Sequence, residues 1–353
     1  MLLGLSALRW SGVILGSALL VLAFLRLRRN SDNRGETVLA TVLGFGLVGV
    51  GLVPGLANLP AEVFSLRDQR GGRLITLLII SSVLLWLAVL WNRYKLAHMA
   101  RSQDHLLRGL AKRSLNSDDR AAMALNPRPL WILIPALNEA ENLKELLPLI
   151  PSEVDGVPVR VLVINDGSMD DTAAVARAKG AAVVDMPINA GGGAGLRTGF
   201  DIALEYGAEY VVTMDGDGQH DPAQLDRLVR PLVADESDLV IGSRLLGEHE
   251  RASIARVVGV RAFNTMINVL LGTRITDCAS GYRAIRADAL SRLMLQQAQY
   301  HTAEMIIDAA KRGMRITEGP VTIRRRWEGQ SKKGGNLFYG AFFLRTIVKT
   351  WLR

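Results

Sequence analysis

Residues 211–222 read VVTMDGDGQHDP, an apolar run that stops at two aspartates one residue apart, Asp215 and Asp217, followed by Gln219 and His220. Val211, Val212 and Met214 have the character of a strand buried on both faces, and the carboxylates stand where it runs out. Open α/β sheets bind ligands just beyond the carboxyl ends of their strands. Two carboxylates at such an edge form a hard oxygen site, suited to a divalent cation that already carries phosphate.

Working outward, strand-like runs recur at Leu130–Ile134, Val159–Ile164, Ala182–Met186, Tyr210–Met214 and Leu239–Ile241. Helix-like segments separate them at Glu141–Leu147, Asp171–Lys179, Ala194–Tyr206 and Pro222–Leu232. Alternation at this spacing predicts an α/β domain with a doubly wound, mostly parallel sheet. Two further strand ends carry polar groups on the rim that bears Asp215. The first is Pro135-Ala136-Leu137-Asn138-Glu139, the second Asn165-Asp166-Gly167-Ser168. Function is the better reading for Glu139 and Asp166, and helix capping for Asp170 and Thr172.

A glycine loop, Asn189 to Gly195, precedes the third helix and would let backbone N–H groups approach phosphate. It is not a dinucleotide fingerprint, because Leu196 stands where the third glycine would be and the loop follows the third strand. Nor does the chain carry a P-loop lysine motif. Cations gather farther on, at Gly242-Ser243-Arg244, at Ser280-Gly281-Tyr282-Arg283, at Arg324 to Arg326 and at Ser331-Lys332-Lys333. Guanidinium groups recognise phosphate through paired hydrogen bonds, so a second phosphate site is expected here.

The N-terminal third has another character. The 353-residue chain is 49% hydrophobic, and residues 38–59 and 74–91 hold no charge, while residues 1–25 hold only Arg9. Each is long enough to cross a hydrocarbon core of about 30 Å as helix. The arginines 26, 28 and 29 follow the first apolar run instead of preceding it, which argues against a cleaved signal. The expectation is a small all-α transmembrane domain over 1–91, with spans near 2–25, 38–59 and 74–91, and Gly44, Gly46, Gly49 and Gly51 allowing close helix packing or self-association. A basic juxtamembrane linker or helix over 92–128, the α/β domain over 129–335 and a basic amphipathic interfacial helix over 336–353 complete the organisation. The richest positive flank follows the last span, which puts the α/β domain on the cytoplasmic side.

The formal net charge is +8. Much of the excess lies beside the apolar segments, so a membrane surface is the expected partner and nucleic acid is not. A single cysteine, Cys278, excludes an intrachain disulfide framework.

Taken together, Pro135…Asn138-Glu139, Asn165-Asp166-Gly167-Ser168, Asp215-Gly216-Asp217-Gly218-Gln219, Gly242-Ser243-Arg244, Ser280-Gly281-Tyr282-Arg283 and Gly329…Ser331-Lys332 make residues 129–335 resemble family 2 glycosyltransferases of the GT-A fold, those acting on dolichyl or other polyprenyl phosphates above all. Residues 1–110 separately resemble small three-helix bacterial membrane proteins. The first resemblance implies inverting transfer from a UDP- or GDP-linked sugar to a lipid phosphate. It implies that Pro135, Asn138, Glu139, Asp166, Gly193 and Asp215 line the nucleotide sugar. Asp215, Asp217 and Gln219 would hold Mg²⁺ or Mn²⁺, with Asp217, Arg244 and Arg283 as the catalytic set. Ser243, Arg244, Arg283 and Lys332 would bind the acceptor phosphate.

A phosphate monoester is largely dianionic at neutral pH and can attack a sugar without a general base. A hydroxyl acceptor would need one, and Glu304 in His301-Thr302-Ala303-Glu304 is the candidate. The alternatives are a polysaccharide synthase, which would show Gln-x-x-Arg-Trp where this chain has Ile323 before Arg326-Trp327, and a non-catalytic membrane scaffold.

Overall fold

The computed structural model describes residues 7–28, 34–57, 72–125, 128–247, 254–297, 299–327 and 336–353. It divides into two compact units, Met1–Met99 and Ala100–Arg353.

In the first unit, α1 (Ala7–Arg28) packs on α2 (Arg34–Leu52). Glycine makes the close approach feasible: a Cβ on Gly16 would stand 2.8 Å from the carbonyl oxygen of Gly44, and one on Gly44 would stand 2.7 Å from Leu20. The contact expected of Gly44 is therefore made within the chain, whereas Gly46 meets nothing. The third helix, α3 (Gly72–Ser114), holds 43 residues in one run, about 65 Å at ~1.5 Å per residue. Its stretch Leu78–Ser114 is long and apolar enough to cross a membrane. The apolar stretches of the other two, Trp10–Leu25 and Ala40–Leu52, are shorter. The described residues thus support one candidate span and not the three expected.

The helix runs on through Trp91 into the 92–128 segment, for which a linker or a helix was expected. Residues 92–114 hold no proline and keep good helix formers, and Asp104 pairs with Arg108 one turn on at 3.0 Å. From Ala100 the helix belongs to the second unit. Asp104, Arg108 and Lys112, spaced four apart, meet Arg197, Asp201 and Glu205, also four apart, at 2.5, 2.8 and 2.7 Å. Ala111 and Leu115 join the core beneath this ladder. A short helix, α4 (Ser117–Leu125), then leads into the sheet.

The second unit alternates β1 (Leu130–Ala136), α5 (Ala140–Leu146), β2 (Glu153–Val154), β3 (Val157–Asn165), α6 (Thr172–Ala178), β4 (Ala182–Asp185), α7 (Gly192–Glu205), β5 (Tyr210–Thr213), α8 (Leu225–Val233) and β6 (Leu239–Ser243). It continues through α9 (Ile254–Leu271), β7 (Arg283–Arg286), α10 (Ala287–Arg292), α11 (His301–Lys311), β8 (Ile316–Pro320) and α12 (Asn336–Leu352). The strand order is β2-β3-β1-β5-β7-β6-β8, with β4 on β3. β4, β3, β1 and β5 are parallel, as the alternation predicts. Beyond them β7 lies antiparallel to both β5 and β6, so the sheet is mixed. Leu130, Ile132, Ile134, Val212 and Met214 fill the core on one face and Trp131, Leu133, Ile164 and Val211 the core on the other. Burial on both faces explains the continuous apolar runs.

The last helix, α12, shares its residues between two environments. Phe343, Thr346, Ile347 and Thr350 are buried, with the Phe343 ring 4.8 Å from Phe263. Phe342, Leu344, Val348 and Trp351 remain exposed beside Arg345 and Lys349.

Candidate active site

Three strand ends meet at one edge of the sheet. β1 runs alongside both β3 and β5, which brings the 138–139, 165–168 and 215–220 loops to the same rim. Asn138 takes a left-handed φ of 49°, and the turn is held by its side chain accepting from Met169 N–H at 2.8 Å while its own N–H donates to Ser168. The N–H of Glu139 donates to Thr172 at 3.0 Å, and Asp170 accepts from the N–H groups of Ala140 and Thr172. Ser168, Asp170 and Thr172 therefore brace the first two strand ends against each other.

Asp166 spans the next gap. Its carboxylate accepts from Ala190 N–H at 2.8 Å and from Gly191 N–H at 2.9 Å, tying β3 to the glycine loop ahead of α7. Burial raises its pKa above the ordinary carboxylate value, and these two hydrogen bonds only partly oppose the shift. Gly191 needs its φ of 90° to turn into the helix, where Gly193 is buried in the first turn.

At the end of β5 the two aspartates differ. The Asp215 side chain is 43% exposed and lies against Gly281, where a Cβ would come within 3.1 Å of its carboxylate. Asp217 is buried; Oδ1 accepts from Gln219 N–H at 3.1 Å and Oδ2 from Arg326 at 2.9 Å. The same guanidinium reaches Glu139 Oε1 at 3.2 Å. Gln219 gives its Nε2 to the carbonyl of Arg324 at 3.0 Å. Among the described residues no three His, Cys, Asp or Glu converge as a cage. Two carboxylates at an open edge instead fit a cation whose remaining ligands come from phosphate and water. That Asp217 already attracts a cationic group is the structural sign that the donor set suits one.

Sequence reasoning passed over His220. It is buried, accepts the Asp215 N–H on Nδ1 at 3.0 Å and stacks on Tyr282 with ring centres 4.7 Å apart and planes at 9°. Arg326 was visible only as one of a run of arginines; its reach to carboxylates from two strands depends on long-range pairing that no local signal carries.

Three of the expected residues are engaged within the protein. Arg283 is fully buried, and its guanidinium donates to the carbonyls of Ser280 at 2.8 Å, Cys278 at 2.9 Å and Thr302. Desolvation pushes its pKa down to about 10, which leaves it cationic at neutral pH. It ties the 278–283 turn to α11, with three of its five N–H donors engaged by backbone carbonyls. Ser243 is buried too, its hydroxyl 2.6 Å from Thr276. Glu304 accepts from the N–H groups of Gln296 and Gln297 at 2.9 and 2.8 Å and from Arg353 at 3.2 Å. With both oxygens engaged in this way, the carboxylate anchors the 296–297 turn and Arg353.

Arg244 remains partly accessible and is held by a paired contact with buried Asp277 at 2.6 and 3.1 Å. Asp277 and Thr276 donate their N–H groups to Glu318, which fixes the loop carrying that partner. Pro135 lies within β1, its carbonyl 3.6 Å from where a Cβ on Gly216 would stand. Lys332 falls outside the described residues.

Residues 131–294 match the family described as glycosyl transferase family 2. The chain is 35% identical over 240 residues to a polyprenol monophosphomannose synthase from Mycolicibacterium smegmatis, which covers 64% of this chain and 88% of that protein. It is 34% identical over 218 residues to an undecaprenyl-phosphate mannosyltransferase from Micrococcus luteus, covering 58% of this chain and 87% of the relative. Among solved structures, a glucosyl-3-phosphoglycerate synthase from Mycobacterium tuberculosis, solved with Mn²⁺, UDP and phosphoglyceric acid, has the same fold at a TM-score of 0.52. The two share 22% identity, across 67% of this chain and 83% of that one. The matched residues begin in β1 and run past the DGDGQ loop, and by fold and by sequence this chain belongs to glycosyl transferase family 2.

Proposed function

We propose that the chain transfers a sugar, with inversion, from a UDP- or GDP-linked donor to a polyprenyl phosphate at the cytoplasmic face of a membrane. The observation that carries the reading is the carboxylate pair at the end of β5, with Asp217 buried and engaged by a cation. Asp215, Asp217 and the Gln219 oxygen would hold Mg²⁺ or Mn²⁺, which neutralises charge on the leaving diphosphate. Glu139 and Asp166, on neighbouring strand ends, lie on the rim that a nucleotide would line, with Asn138, Pro135 and Gly193 shaping it. Arg244 supplies guanidinium edge to the acceptor phosphate while Asp277 fixes its plane.

In the reaction a phosphate oxygen of the lipid attacks the anomeric carbon, and the bond from that carbon to the donor diphosphate breaks from the opposite face. The nucleoside diphosphate leaves, and no proton need be removed because the nucleophile is already an anion. The engagement of Glu304 supports this over a hydroxyl acceptor. The names of the two mannosyl-transferring relatives support the lipid phosphate, and the apolar length of α3 with the exposed apolar and basic face of α12 supports work at a bilayer. Offering a polyprenyl phosphate and the corresponding polyprenol side by side tests the acceptor. The phosphate is used and the alcohol is not, and Glu304→Gln lowers stability while kcat per folded molecule changes less than about tenfold. Use of the alcohol, or loss of about a thousandfold in kcat on that substitution with folding intact, would return Glu304 to the role of base.

A further inference from the structure

We propose that Arg326 makes the cation subsite selective, admitting a metal that arrives on a diphosphate and disfavouring a bare cation. The inference rests on the reading of Asp217 as a cation ligand given above.

Arg326 is delivered to its place by the whole segment before and after it. Ile323 forms a β-bridge with His220, Arg324 N–H donates to the carbonyl of Gln219 at 2.9 Å, and Gln219 Nε2 returns a bond to the carbonyl of Arg324 at 3.0 Å. Arg324 is anchored separately on Asp221 at 2.6 Å. The N–H of Trp327 donates to the carbonyl of Asp217 at 3.3 Å, and the indole covers Gly218, where a Cβ would lie 2.3 Å from the ring. Residues 323–327 are thus fastened along the 217–220 loop on both sides of Arg326. Its fork then spans two strand ends, one nitrogen on Glu139 and another on Asp217.

Both carboxylates are at least nine-tenths buried. Such groups need a counter-charge, and the planar fork supplies one to the pair at once, a geometry that a point charge cannot match. A bare divalent cation seeking Asp217 must therefore displace a guanidinium with hydrogen bonds to both acids. A metal already bound to a diphosphate brings anionic oxygens toward which the displaced guanidinium can turn. The internal arginine opposes the first event more than the second.

The test is Mn²⁺ binding to the full chain in detergent, read by electron paramagnetic resonance of free Mn²⁺, with and without UDP or GDP. Without nucleotide, Arg326→Ala should bind Mn²⁺ about tenfold tighter than the wild type. Arg324→Ala, which removes the same charge a short way off, should change affinity less than about threefold, since the fall of Coulomb energy with distance and dielectric separates the two. Arg326→Lys, which keeps charge and loses the fork, should fall between. Adding nucleotide should tighten Mn²⁺ binding by a larger factor in the wild type than in Arg326→Ala. Equal affinity in Arg326→Ala and wild type, or an equal gain in Arg324→Ala, overturns the inference. Asp217→Asn separates the two levels. If it binds Mn²⁺ like the wild type, the cation subsite itself is wrong; if it loses binding while Arg326→Ala matches the wild type, only the selectivity is.

Discussion

Arg283→Met tests whether the arginine of the Ser-Gly-Tyr-Arg element holds the fold or the substrate. Methionine keeps the length and apolar stem of the side chain and removes the charge and every donor. Three buried carbonyls, those of Ser280, Cys278 and Thr302, then lose their partner. An orphaned buried acceptor costs about 1–3 kcal/mol. Relief of the guanidinium's own desolvation offsets part of that sum, and breaking one side of a buried charged network costs roughly 3–5 kcal/mol net. At about 2–4 °C per kcal/mol for a domain of this size, the melting temperature should fall by about 10 °C. The assay is thermal unfolding of the full chain followed by circular dichroism. Arg230→Met is the control, because Arg230 is an exposed arginine 3.4 Å from Asp155 whose loss should cost ~1 kcal/mol or less. At a temperature where the variant remains folded, donor and lipid-phosphate affinities should fall together or not at all. An unchanged melting temperature with a selective loss of lipid-phosphate use would refute the structural role and restore the arginine to the acceptor site.

Substitutions at two further residues probe the rim. Asp166 has a raised pKa, so it binds its proton more tightly folded than unfolded, and stability should decline as pH climbs from the ordinary carboxylate value, about 3.9, through the raised one, then level off. Melting temperatures across that window should show the decline in the wild type and a flatter profile in Asp166→Asn; identical slopes would remove Asp166 as the source. His220 both accepts the Asp215 N–H and stacks on Tyr282. His220→Asn keeps an acceptor and His220→Phe keeps the stack, so Mn²⁺ affinity in the presence of nucleotide should survive better in the former, by about tenfold for an orphaned amide. The reverse order would make packing the role of this ring.

The parallel half of the sheet was legible because its strands are buried on both faces and leave continuous apolar runs. β7 escaped because Arg283-Ala284-Ile285-Arg286 carries charge at both ends, and only its pairing between β5 and β6 makes it a strand. The continuity of α3 beyond Trp91 was hard to read for a related reason. Asp104, Arg108 and Lys112 look like a solvated face until α7 presents the opposite charges at the same spacing. Within the site, the carboxylates were evident from position at strand ends, since local chemistry declares them. What each cation touches was not, because Arg283 meets backbone carbonyls, Arg244 meets Asp277 and Arg326 meets Asp217, all through contacts set by tertiary structure. The same motif letters could have faced solvent or substrate.

The central claim is that a lipid phosphate receives the sugar. Purified full-length protein is given radiolabelled nucleotide sugars, a polyprenyl phosphate and Mn²⁺, and the products are partitioned between organic solvent and water. Label should pass to the organic phase in a form released by mild acid, stop with chelator and with Asp217→Asn, and resume when Mn²⁺ is restored to the wild type. Label that remains in the aqueous phase with every donor, or that appears on a sugar or protein hydroxyl without entering lipid, would contradict the account.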